Sequence, residues 1–190
     1  LTAGADGAIR FVFDAFIDPG DTVLCTAPTF AMYDVYSRMS GARRILLEYR
    51  RSSSGPVLAA NTVIDSIFEV HPKLVCLPNP DSPTGTVFEP KALASVIEAA
   101  TDVGALILLD EAYYPFYEET ALPWIHEYEN LVVTRTFSKA WGLAGLRVGC
   151  AVACSRITEM LHKVRPMYEV SSVAVEVVGR MIDREDRMLE

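Results

Sequence analysis

"KLVCLPNPDSPTGTVFEPKALASVIEAATDVGALILLDEAY", residues 73–113, sets two short apolar runs on either side of a polar loop and an amphipathic segment. "KLVCLP" (73–78) and "ALILLD" (105–110) lack polar alternation, the pattern of strands covered on both faces. "NPDSPTGTVF" (79–88) is a loop, and "EPKALASVIEAATDVG" (89–104) reads as a helix with Pro90 in its first turn. Strand, helix and strand in succession imply a parallel sheet with helices laid over it.

The alternation continues outward in both directions. "DGAIRFVFDAFI" (6–17) carries apolar residues at 9, 12, 13, 16 and 17, a helical stripe, and "TVLCTA" (22–27) follows as a strand. "FAMYDVYSRMSG" (30–41) reads as a helix stopped by Gly41, "ARRILLEYR" (42–50) as a strand and "RSSSGP" (51–56) as a loop. Asn61 is placed to cap a helix over "TVIDSIFEVH" (62–71). "NLVVTR" (130–135) and "RVGCAVA" (147–153) look like further doubly buried strands, while "SRITEMLHKVR" (155–165) and the last twenty residues look helical. The expectation is an α/β fold of three layers, α/β/α, around a mostly parallel sheet.

Composition narrows the function classes. With 190 residues, 51% of them hydrophobic, the chain can bury one substantial core, and a net charge of −8 argues against a general nucleic-acid or anionic-membrane surface. The four cysteines, at 25, 76, 150 and 154, sit in or beside apolar runs and form no C-x-x-C, so they read as buried and reduced. With only three histidines, at 71, 126 and 162, no metal set is expected. No apolar run reaches the roughly 18 residues of a membrane span, and no signal peptide is visible, which together point to the cytoplasm. The chain opens "LTAGADGAIRF" without an initiator methionine and closes inside an amphipathic segment, so an excised domain of a longer protein is expected.

In open α/β sheets ligands gather beyond the carboxyl ends of the strands. Three polar or glycine-rich stretches follow strands here, 79–86, 110–114 and 136–147, and should converge on one crevice. Asp110 ends an aliphatic run, where a partly desolvated carboxylate calls for a cationic partner unless it merely caps a turn. Tyr113 could face the same cleft or fill core. Lys139 alone would read as a solvated loop lysine, but Thr136, Ser138, Gly142, Gly145 and Arg147 around it make an anion cradle. A lysine beside a phosphate site suits imine chemistry. "GADGAI" (4–9) opens the first helix with free N–H groups at its positive end, a second place for a phosphate. "GLAGLRVG" is not G-x-G-x-x-G, and no Walker loop, G-x-S-x-G or H-E-x-x-H is present.

Taken in order, "GAD", "APTF", "NPDSPTG", "DEAY" and "SKAWGLAGLRVG" resemble the fold-type-I pyridoxal-phosphate enzymes, class I/II aminotransferases, and among them the histidinol-phosphate aminotransferase-like branch. The resemblance implies the large domain of such an enzyme across 1–190, without its N-terminal segment and C-terminal small domain, with 170–190 beginning the connecting helix. It implies pyridoxal 5′-phosphate as cofactor, a small amino donor and a 2-oxo acid as substrates, and a homodimer. Lys139 would form the Schiff base and move the substrate proton, Asp110 would pair with the pyridine nitrogen, and Tyr113 would bond the ring oxygen. Gly4, Ala5, Asp6, Thr136, Ser138 and Arg147 would surround the phosphate, with Phe30 stacked on the ring. Ser82 stands where the family usually reads asparagine, and Gly7 where an acidic residue is common. The same residues would serve a decarboxylase or lyase of this fold, and a non-catalytic phosphate- or nucleotide-binding module is a further alternative.

Overall fold

A computed structural model describes residues 1–182, 184 and 188. Six strands form the main sheet: β1 (Thr22–Ala27), β2 (Arg43–Glu48), β5 (Leu74–Pro78), β6 (Leu106–Asp110), β7 (Leu131–Thr136) and β8 (Gly149–Ala153). Their order is β2-β1-β5-β6-β7-β8, with every neighbouring pair parallel except β7 and β8. The helices are α1 (Gly4–Phe16), α2 (Met32–Met39), α3 (Ala60–Val70), α4 (Pro90–Asp102), α5 (Ser155–Val164) and α6 (Ser172–Ile182).

Side chains of successive strand residues point to opposite faces, and each face has its own core. On one, Leu24, Val75, Leu77, Ile107 and Leu109 meet Val63 and Ile67 of α3 and Leu93, Val96 and Ile97 of α4. On the other, Val23, Cys25, Leu74, Cys76 and Leu108 meet Ile9, Val12 and Phe13 of α1, Tyr33 of α2 and Ile157 of α5. These two covered faces are the expected three layers.

Several local expectations need correction. β8 is an antiparallel edge strand in which only Gly149 is buried, so its apolar residues do not mark a doubly covered strand. Residues 51–56 are not plain loop: β3 (Arg50–Ser52) and β4 (Gly55–Val57) form a small exposed hairpin. Asn61 does not cap α3, which starts from Ala59 and places Asn61 within its first turn. α1, by contrast, begins at Gly4, within the "GADGAI" stretch expected to open it. Cys25 and Cys76 are buried, whereas Cys150 and Cys154 are half-buried, and all four are free. The terminal helix occupies Ser172–Ile182, and residues 183, 185–187 and 189–190 lie outside the described ones. Among the described residues no helix is long and apolar enough to cross a membrane.

Chain direction brings the carboxyl ends of β1, β5, β6 and β7 to one edge of the sheet. After β1 the chain turns outward to β2 and then returns to the opposite side as β5, so the strand order reverses between β1 and β5. α1 reaches this edge because Thr2 forms a bridge with Gly149: Thr2 N donates to Gly149 O at 2.9 Å and Gly149 N to Thr2 O at 3.0 Å. A Cβ on residue 149 would overlap Gly4 C and come 2.6 Å from Ala5 N and 2.7 Å from Arg135 O. All of these neighbours are backbone, so none can swing aside. Gly149→Ala is therefore expected to lower stability by roughly 1–3 kcal/mol, read as a fall in the urea midpoint at unchanged m-value; an unchanged midpoint would show that the approach is looser than described.

Candidate active site

The strand ends and the start of α1 enclose a cleft of about 470 Å³. Ala5 and Asp6 line it from α1, Phe30 from the turn after β1 and Ser82 from the loop after β5. Asp110 and Tyr113 come from the end of β6, and Thr136, Ser138, Lys139 and Arg147 from β7 and the segment beyond. Gly4, the remaining candidate, lies directly behind Arg147: a Cβ there would sit 2.7 Å from Arg147 Nη2, and its φ of +76° favours glycine. The candidates thus occupy one place despite being spread from residue 4 to residue 147.

Asp110 is the deepest charged group of the cleft, 6% exposed. Its Oδ1 accepts from Thr134 Oγ1 at 3.1 Å and from Ala112 N at 3.0 Å, and its Oδ2 from Tyr33 OH at 3.1 Å. Burial pushes its pKa above the usual carboxylate range; the bonds from Tyr33, Thr134 and Ala112 N pull the other way. Tyr33, wholly buried, is itself pushed well up by burial and then by the charge of Asp110, so it remains a donor. Phe30 packs edge-on to Tyr33, with ring centroids 5.8 Å apart.

The opposite end is rich in donors. Thr136 Oγ1 lies 3.0 Å from Ser138 Oγ, which also accepts from Arg147 Nη1 at 3.2 Å. Arg147 Nη2 donates to Ala3 O at 3.3 Å, tying this side chain to the start of α1. The Asp6 carboxylate is engaged by Tyr36 OH at 2.9 Å. Gly4 N donates to Thr2 O at 2.8 Å, while the N–H groups of Ala5 and Asp6 have no partner within the helix, the setting in which helix starts bind anions. Between the two ends lies Lys139, exposed at the mouth, its Nζ 5.3 Å from the centre of the Tyr113 ring. Ser82 Oγ and Tyr113 OH are 3.4 Å apart.

This cleft sets a buried carboxylate, an exposed amine and a group of hydroxyl and guanidinium donors side by side. The family model described as "Aminotransferase class I and II" matches residues 1–190. The chain belongs to that family. It is 38% identical over 186 residues to a histidinol-phosphate aminotransferase of Caldanaerobacter subterraneus subsp. tengcongensis, covering 96% of this chain and 51% of that protein. The fold matches that of histidinol-phosphate aminotransferase from Sinorhizobium meliloti in complex with pyridoxal-5′-phosphate, with a TM-score of 0.88 at 22% identity, over 98% of this chain and 50% of that one. A PLP-dependent aminotransferase from Streptococcus suis gives a TM-score of 0.87 at 29% identity, over 99% and 50%. The chain spans about half the length of the curated relatives it matches.

Three features of this family member were not expected from its sequence. Tyr33 is an apolar-stripe position in α2 by periodicity, yet its hydroxyl serves Asp110. Glu111, 2% exposed, pairs with Arg135 at 2.8 Å and accepts from Thr120 Oγ1 and Ala121 N, while Arg135 lies 3.6 Å over the Tyr114 ring. This network pins the segment that carries Tyr113. Asn79, positioned by sequence near Ser82, is instead spent on the loop, with both ends of its amide bonded to the backbone of Phe88.

Because burial raises the folded pKa of Asp110 above its unfolded value, its ionisation costs stability as pH rises through that pKa, and Tyr33 offsets part of the cost. Tyr33→Phe is expected to destabilise the protein by about 1–3 kcal/mol at neutral pH. The difference from wild type should shrink as pH falls below the raised pKa, measured by urea unfolding across pH. A difference that stays constant with pH would mean that Tyr33 contributes packing alone.

Proposed function

We propose that residues 1–190 are the cofactor-binding large domain of a pyridoxal 5′-phosphate-dependent aminotransferase. The observation that carries this reading is the juxtaposition of the buried Asp110 carboxylate, the Lys139 amine and the Thr136–Ser138–Arg147 cradle in one cleft. The residues suit the cofactor. At one end the hydroxyls, the guanidinium and the start of α1 offer donors to a phosphate, and the absence of a side chain at Gly4 leaves room for that guanidinium. At the other, a carboxylate that burial makes costly to ionise would find its counter-charge in a protonated ring nitrogen.

When bound, the cofactor supplies an electron-withdrawing ring for the carbon that loses its proton. Asp110, steadied by Tyr33, Thr134 and Ala112 N, would keep that ring charged. Lys139 Nζ would provide the amine that secures the cofactor and, when free, the base for the proton at the substrate α-carbon. Tyr113 OH, beside Ser82 Oγ, would bond the ring hydroxyl, and Phe30 would pack on the ring. Ala5, Thr136, Ser138 and Arg147 would hold the phosphate together with the backbone N–H of Asp6, whose carboxylate is bonded to Tyr36, while Gly4, its own N–H given to Thr2 O, would leave room for the Arg147 guanidinium. The whole protein passes the amino group of an L-amino acid or an amino-alcohol phosphate to a 2-oxo acid, as a cytoplasmic homodimer. The names of its relatives favour the amino-alcohol phosphate.

Borohydride reduction of the protein mixed with pyridoxal phosphate, followed by peptide mass mapping, is expected to add one cofactor-derived group to Lys139. Lys139→Ala should lose both the adduct and turnover by at least about a thousandfold, with its far-ultraviolet spectrum intact. Label on other lysines only, or transamination retained by the variant, would refute the assignment.

A further inference from the structure

We propose that Glu169 is a positioning residue for the phosphate end of the cleft, completing the N-terminus of α1 from the far side of the chain. This rests on the cofactor reading above. In a capping box, a glutamate in the first turn of a helix reaches back to the N–H of the N-cap residue. The N-cap residue of α1 is Ala3, and no first-turn side chain serves it: Asp6, the acidic residue of that turn, is bonded to Tyr36. Glu169 performs the task instead, its Oε1 accepting from Ala3 N at 2.7 Å across 166 residues of sequence. Its charge falls where the helix dipole favours an anion.

Gly7 makes this possible. A Cβ on residue 7 would lie 2.5 Å from Glu169 Oε1, so the carboxylate occupies space that any other side chain would take. The neighbouring contact is complementary: Arg147 Nη2 donates to Ala3 O while Glu169 accepts from Ala3 N. The peptide groups on both sides of Ala3 are thereby fixed, and with them the orientation of the next N–H groups, those of Ala5 and Asp6. Glu169 lies between α5 and α6, so the segment joining these helices is fastened to the same turn.

The test compares binding of pyridoxal phosphate with that of pyridoxal, which lacks the phosphate, by equilibrium dialysis against the wild-type protein, Glu169→Ala, Glu169→Gln, Gly7→Ala and the Gly7→Ala/Glu169→Ala double variant. Glu169→Ala should weaken pyridoxal phosphate about fivefold and leave pyridoxal unchanged, while Glu169→Gln, which keeps the acceptor, retains most of the affinity. Gly7→Ala should show the same selective loss, although glycine to alanine in a helix otherwise stabilises. The double variant should be no worse than either single one, since both break one contact. Equal losses for the two ligands, unchanged or tighter phosphate binding, or additive losses overturn the proposal. If Glu169→Ala does not fold, Glu169→Gln and Gly7→Ala decide by the same comparison. Failure of the wild-type protein to bind pyridoxal phosphate would instead remove the cofactor reading itself.

Discussion

The backbone of residues 2–5 lies directly against Gly149 at the carboxyl edge of the sheet, and the cleft exists because it does. A bridge from Thr2 and the missing side chain at 149 let the N-terminus of α1 reach the space above β6 and β7. Every donor assigned to the phosphate end is either part of this contact or bonded to it through Arg147 and Ala3. A sheet edge becomes a cleft here through one close approach of two backbones.

The other end of the cleft is governed by burial. A carboxylate at the end of an aliphatic strand would be cheaper protonated, and the protein surrounds Asp110 with three donors without fully removing that penalty. Such an arrangement is poor for stability and suited to a cationic guest. Glu111, the next residue, shows the contrasting solution: its charge is answered within the chain by Arg135 and used to hold a loop. Two adjacent acids thus have opposite roles, set by whether the protein supplies the counter-charge.

Much of this was legible in the sequence because it depends on short-range chemistry. Apolar runs without alternation mark covered strands, and a lysine among hydroxyls, glycines and an arginine marks the segment that lines the cleft. What could not be read depends on partners distant in sequence. β8 carries the same small apolar residues as a covered strand, and only its pairing direction and edge position distinguish it. The hairpin at 50–57 consists of polar residues with no pattern to announce it. Tyr33 lies on the buried stripe of α2, so its periodicity reports packing and conceals the bond to Asp110. Glu169 has no local signature, and Gly7 alone hints that another group needs its space.

A crystal structure of the protein with pyridoxal phosphate tests the central claim most directly. The phosphate is expected at the first turn of α1 between Ser138 and Arg147, with the ring nitrogen facing Asp110 and continuous density to Lys139. A cofactor bound elsewhere, or one whose ring nitrogen points away from Asp110, would contradict it.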